Sequence, residues 1–208
     1  YIPLFPLPNV VFFPRTLLPL HVFEGRYRKM IESALSGDRL VGVALLKPGW
    51  EPRYYDAPAV YRTVGMGKII EHDRLENGNY NIWLSGMERV EIIHEVQDKP
   101  FRVAKAHVLR DEPTPTSGSL AAARRDLVGI LNRLAEARED LSDGLRKTIS
   151  RQRYPGALAD ALARLICPDI YDRQCILSET APERRLRLVT VQATARLNEA
   201  LVTDPFDA

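Results

Sequence analysis

At 208 residues, with 45% hydrophobic and 27% charged side chains, the chain has the balance of an ordinary globular protein. It contains no apolar run of the roughly 18 residues that a membrane-spanning helix needs. The formal net charge of +2 is spread evenly, 15 basic against 14 acidic residues in 1–112 and 14 against 13 in the remainder, so bulk charge gives nucleic-acid binding no support. Two cysteines, Cys167 and Cys175, make no disulfide framework for a chain of this size and favour a reducing compartment, the cytoplasm.

The opening segment, LFPLPNVVFFPRTLLPLHVFE (residues 4–24), carries no charge before Arg15. It lacks the basic region that starts a signal peptide, and its prolines would break the helix such a peptide forms. Pro6, Pro8, Pro14 and Pro19 divide it into pieces too short for a helix, each able to lie extended at a sheet edge or to turn a corner. Phe12 and Phe13 are its candidates for an exposed, adhesive surface. In the following GRYRKMIESALSG, Tyr27, Met30, Ile31, Ala34 and Leu35 recur at helical spacing, with Gly37 as the expected stop.

Six β-branched or aromatic runs then follow at regular spacing: 41–46, 60–64, 67–72, 79–85, 88–96 and 101–109. They predict a compact sheet or barrel. Asn77-Gly78 predicts a type I′ hairpin turn between the strand ending near His72 and the one around Trp83. Thirteen of the 16 aromatic residues lie at or before Phe101, whereas residues 118–202 are rich in Ala, Leu and Arg. A β-rich domain (1–112) and a helical domain (113–208) are therefore expected, joined through the polar, Pro-rich RDEPTPTSGS at 110–119. In the second, Leu120, Ala123, Leu127, Ile130, Leu131 and Leu134 form a wide apolar stripe, PGALADALARLI (155–166) is a shorter helix, and residues 180–201 a long one. Thr180 and Glu183 predict a capping box for the last.

The sequence carries no recognisable catalytic or metal-binding pattern. GMGKII lacks the spacing and the hydroxyl residue of a phosphate loop, and Gly65 and Gly67 are expected to mark a bulge or tight bend. His21, His72, His94 and His107 show no paired spacing, Cys167 and Cys175 have no histidine nearby, and Ser85 in WLSGM lacks the leading glycine of a nucleophile elbow. The two thiols are expected to be inert and partly buried. No cofactor and no metal are expected. The basic RKTISRQR reads as a solvated helix face. Trp50, Tyr54 and Tyr55, in the Pro/Gly-rich KPGWEPRYYDAP, stand out, because a loop holds three large aromatic residues only to cap a core or to meet a partner.

The opening segment closely resembles the start of the N-terminal domain of the ATP-dependent protease Lon. Leu4, Phe5, Pro6, Leu7, Pro14, Leu18, Pro19, Leu20, His21, Phe23, Glu24, Arg26, Tyr27 and Arg28 fit that pattern; it departs at Arg15, where a Gly is common, and at Gly25, often Pro. Gly65, Gly78, Gly86 and Arg89 fit the family's later strand pattern, and Asp160, Gln174, Leu177, Arg185 and Leu186 its helical portion, with Ser178 standing where an acid often occurs. The resemblance implies an α+β fold, a β-rich PUA-like pseudo-barrel followed by an α-helical bundle. It also implies a non-catalytic module, since the motifs of Lon's ATPase and Ser/Lys protease modules are missing, and the chain looks like a stand-alone Lon-domain protein. The expected activity is recognition of unfolded or degradation-prone client proteins, with a separate ATPase or protease as a further partner. The expected contacts are Phe12, Phe13, Trp50, Tyr54 and Tyr55. RNA binding is the alternative, since PUA-like domains elsewhere bind structured RNA.

Overall fold

The computed structural model describes residues 1–96, 98–113 and 117–202, so part of the expected linker lies outside the described residues. The chain divides into two compact units, Tyr1–Leu109 and Arg110–Ala208. Among its described residues the first holds six strands, β1 (Ile2–Leu7), β2 (Leu17–Val22), β3 (Leu40–Leu45), β4 (Thr63–Arg74), β5 (Tyr80–Val96) and β6 (Val103–Val108), and the helix α1 (Gly25–Leu35). They form one mixed sheet in the order β2-β5-β4-β3-β1-β6, with β1 and β3 parallel and the other pairs antiparallel.

The long β5 shapes this unit. Its first half, Tyr80–Ser85, pairs with β2, and its second half, Val90–Val96, pairs with β6, while β4 follows it on the other side. Because β6 also pairs with β1, the ring β5-β4-β3-β1-β6 closes on itself, which is the pseudo-barrel expected from the sequence. Each of the five ring strands contributes to one apolar cluster, including Ile2, Leu4, Ala44, Val64, Val90, Ile92 and Ala104. Alternate residues on the opposite faces, Phe5, Val41, Val43, Ile82 and Leu84 among them, pack with Tyr27, Met30, Ile31 and Ala34 of α1.

Strand β2 remains as an edge. Gly86 N–H donates to Thr16 at 2.8 Å, and the alternation of bonded and non-bonded pairs from that point turns the backbones of Leu17, Pro19 and His21 away from β5. Pro19 offers no donor there, so the edge is a poor template for another strand.

Two of the expected strand pairs are fused. The runs 60–64 and 67–72 become β4 after an isolated Leu46–Val60 bridge, and 79–85 and 88–96 become β5. The β4–β5 turn also differs from the expected type I′. Gly78 N–H donates to Leu75 O at 2.8 Å and Gly78 alone takes a positive φ, +79°, which is a type I turn followed by a glycine bulge.

Arg15 and Arg39 adopt positive φ, 60° and 61°. The left-handed conformation at Arg15 explains why glycine is the cheaper residue at that position. At the exposed Arg39 both backbone bonds, N–H to Ala34 O (3.0 Å) and C=O from Ile69 N–H (2.9 Å), are independent of the side chain. Arg39→Gly is expected to raise stability by up to about 1 kcal/mol, the left-handed penalty less glycine's extra unfolded-state entropy. A lowered thermal midpoint would refute this.

The second unit is helical: α2 (Ser117–Ala137), α3 (Glu139–Arg151), α4 (Pro155–Ile166), α5 (Ile170–Ser178) and α6 (Pro182–Val202). Leu127, Leu131, Leu134, Leu158, Leu162, Ile166, Leu186, Val189 and Ala193 fill its interior. Helix α5 is capped by Asp169, which accepts from the N–H groups of Tyr171 (2.7 Å) and Asp172 (3.0 Å). The residues of the expected capping box on α6 turn elsewhere: Thr180 Oγ1 donates to Glu112 (2.7 Å), and Glu183 accepts from Ser119 (2.8 Å) and Arg187 (2.6 Å).

Candidate functional site

The opening aromatic pair does not form a surface. Phe12 and Phe13 are 2% and 1% exposed. The reason lies in three glycines of the adjoining strands. A Cβ built on Gly65 would stand 1.8 Å from Phe12 O, one on Gly67 2.5 Å from the Phe12 ring, and one on Gly86 2.2 Å from Phe13 O. The segment therefore lies directly on a side-chain-free floor of β4 and β5, where the pairing also shifts register between Met66 and Gly67. These two phenylalanines are core residues, and the expectation that they contact a partner is corrected.

The loop aromatics are arranged differently. Residues 47–59 form a loop whose base is closed by the Leu46–Val60 bridge and by Lys47 N–H donating to Ala59 O (2.8 Å). Gly49, at φ +81°, turns the chain into the short 3₁₀ turn Glu51–Arg53. Trp50 meets Tyr54 edge to face at 5.5 Å between ring centroids, and Tyr54 meets Tyr55 in the same way at 5.2 Å. Trp50 and Tyr54 are half-buried, whereas Tyr55 is 85% exposed.

The loop is fastened to the start of α1. The Tyr54 hydroxyl donates to the Glu24 carboxylate, and Arg26 pairs with Glu24 at 3.0 Å. The Arg26 guanidinium also lies 4.6, 5.0 and 5.9 Å from the ring centres of Tyr27, Tyr54 and Tyr55. Burial opposes its charge, but Tyr27, Glu24 and Tyr54 together hold its proton more tightly than usual. Burial, then the bond to Glu24, pushes the Tyr54 hydroxyl upward, so it stays the donor throughout the neutral range.

Between this loop, α1 and the β5–β6 connection lies a cleft of about 300 Å³. Tyr27, Tyr54, Tyr55, Pro58 and Phe101 supply apolar wall, and Arg26, Lys99, Arg102, Asp56 and Glu95 supply charge. Arg102 donates to both oxygens of Glu95, at 2.6 and 2.5 Å, and to Pro58 O at 2.8 Å, which ties the loop to β5. The structure thus brings Trp50, Tyr54 and Tyr55 together and adds Glu24, Arg26, Lys99 and Arg102. Glu24, Arg26 and Tyr27 belong to the opening motif, which is the signal that could have pointed to this wall; Lys99 and Arg102 sit in an unremarkable polar turn.

The other candidates are structural. Ser85 lies within β5, His21 Nδ1 is 2.7 Å from Asn81 Oδ1, and His107 stands 3.5 Å from Glu91. Cys167 is buried, and burial raises its thiol to about 12; Cys175 is exposed, contrary to the expectation of two partly buried thiols. Among the described residues no group of three or more His, Cys, Asp or Glu could hold a metal ion, and no helix is long and apolar enough to cross a membrane.

A family model for the ATP-dependent protease La (LON) substrate-binding domain matches residues 1–194. The Lon protease of Dictyoglomus thermophilum is 27% identical over 197 residues, 94% of this chain and 24% of that protein. The Lon protease of Roseiflexus castenholzii is 29% identical over 189 residues, 90% and 23% respectively. The chain spans about a quarter of the length of these relatives. Among solved structures, the N-terminal domain of the Mycobacterium avium complex Lon protease superposes with a TM-score of 0.70 at 15% identity, covering 93% of this chain and 97% of that one. A Lon N-terminal domain protein from Xanthomonas campestris does so at 0.63 and 24%, covering 91% and 96%. At such identities the superpositions speak to the fold, which is the α+β architecture expected from the sequence.

Proposed function

Starting from the fact that the chain belongs to the family of the ATP-dependent protease La (LON) substrate-binding domain, we propose that it acts as a non-catalytic module that binds unfolded or degradation-prone polypeptide. The observation that carries this reading is the run of loop aromatics leading into the cleft, with Tyr55 85% exposed at its mouth. A large exposed ring on a loop braced by its neighbours is the kind of anchor on which binding energy concentrates. Trp50 does not line the cleft and packs edge to face on Tyr54. By analogy with the relatives named Lon protease, the bound segment would pass to an ATPase and protease, on this polypeptide or another. A reducing compartment, the cytoplasm, suits the two free thiols.

Tyr55→Ala is expected to weaken binding of a fluorescently labelled, permanently unfolded protein about tenfold, the loss of one anchor residue. Its circular dichroism should stay that of the wild type, because the ring is exposed. Fluorescence anisotropy measures the effect. Absence of saturable binding by the wild type, or undiminished binding by a Trp50→Ala/Tyr54→Ala/Tyr55→Ala variant, would end this reading.

A further inference from the structure

The charges lining the cleft are not equally satisfied. Arg26 is met by Glu24, Arg102 by both oxygens of Glu95, and Asp56 lies 3.6 Å from Arg53. Lys99 differs. Its ammonium donates to Ser33 Oγ over 3.3 Å and stands 5.5 Å from the centre of the Phe101 ring, and it pairs with no carboxylate among the described residues. The hydroxyl bond is long and exposed, so exchanging it for a ligand oxygen sacrifices little. A chain entering the cleft therefore meets aromatic and proline surface with one uncompensated positive charge at its border.

Resting on the polypeptide-binding reading, we propose that this cleft selects segments in which an apolar side chain is accompanied by a carboxylate, and that Lys99 is the residue that reads it. The aromatic wall accepts the apolar side chain, and the ammonium on its flexible stem swings from Ser33 to the carboxylate. That carboxylate is an acidic side chain or a chain end, which present the same group. A basic segment is repelled by Lys99 and finds no unpaired carboxylate in return, since Glu95 and Asp56 each already face an arginine. A nucleic acid strand would stack on the same rings, but its row of phosphates would meet a single uncompensated cation, Lys99.

Three short labelled peptides built from Leu, Trp and Ser test this by fluorescence anisotropy: one blocked at both ends, one blocked with a Glu beside the Trp, and one with a free carboxyl terminus. The full chain is expected to bind at least one carboxylate-bearing peptide about three- to fivefold more tightly than the neutral one, the scale of an exposed ion pair. The two carboxylate arms distinguish an internal acid from a chain end. Added salt should shrink the preference. In Lys99→Gln the ratio of affinities should fall to about one, and in Lys99→Arg it should return. Equal binding of all three peptides, or a preference that survives in Lys99→Gln, overturns the selection while leaving polypeptide binding intact. Failure of all three to bind, or tighter binding of a single-stranded oligonucleotide than of any peptide, overturns both.

Discussion

Arg185→Ala is expected to lower the stability of the helical unit by about 3–5 kcal/mol, the scale seen when one member of a buried ion pair is removed. The Arg185 side chain, on α6, is 1% exposed and donates to both oxygens of Asp111 at 2.7 Å and to Glu179 O at 3.0 Å. Its Nε lies 3.4 Å from Asp160 Oδ1, close enough for charge but not aligned as a hydrogen bond. Burial opposes the guanidinium, yet Asp111 and Asp160 hold its proton above the usual value. Gly156 is part of the arrangement, since a Cβ there would stand 2.2 Å from Arg185 Nη2. Alanine would take from Asp160, itself 4% exposed in its side chain, a cation that helps to balance it. The size of the loss comes from weakening that buried charge balance, so Arg185→Leu combined with Asp160→Leu should cost less than Arg185→Ala alone. Urea unfolding followed by helical circular dichroism measures both. A single-variant loss below about 1 kcal/mol would show that the cluster adds little.

The extent to which sequence foretold this molecule follows from how local each determinant is. Helix α1, the stripe of α2 and the buried face of α4 follow from apolar spacing within one segment, and the structure buries Tyr27, Met30, Ile31 and Ala34 as that spacing requires. Helix α5 was legible only through the family resemblance, because it is short and buries Gln174, Ile176 and Leu177 without a clear stripe. Of α3, only its basic stretch was legible, since Leu145 is its one fully buried residue. The strands of β4 and β5 appeared broken because Gly65, Gly67 and Gly86 interrupt their β-branched runs. In the fold those glycines leave the strands continuous and clear a bed for another segment. The cleft was half legible: the loop aromatics and the Glu24-Gly25-Arg26-Tyr27 motif were visible, but nothing local says that residues so far apart meet, or that Lys99 and Arg102 border them. The adjacent Phe12 and Phe13, both expected at the surface, are both buried, although strand alternation would turn one of them outward. Residues 10–13 are not a strand, so alternation does not apply and both rings turn inward.

Gly65→Ala carries this reasoning to its most disruptive consequence. The added methyl group would stand 1.8 Å from Phe12 O and 2.7 Å from Phe12 C, both backbone atoms, so no side-chain rotation relieves the clash. Either β4 moves away from β3 and β5, with which it pairs on both sides, or the chain around Phe12 lifts from its bed. The second is the cheaper route, because residues 10–13 hold no place in the ladder. It would expose Phe12 and Phe13, whose burial is worth about 1.5–3 kcal/mol each. The expected loss is therefore about 3–5 kcal/mol, at or above the upper end of ordinary overpacking. Gly129→Ala provides the contrast. It lies on the exposed side of α2 with nothing within 4 Å of an added Cβ, and should gain about 0.5–1 kcal/mol from helix propensity alone. Denaturant unfolding of both variants beside the wild type decides the matter. If Gly65→Ala unfolds with the wild-type midpoint, the opening segment does not rest on the glycine floor, and its aromatic pair becomes a candidate surface again.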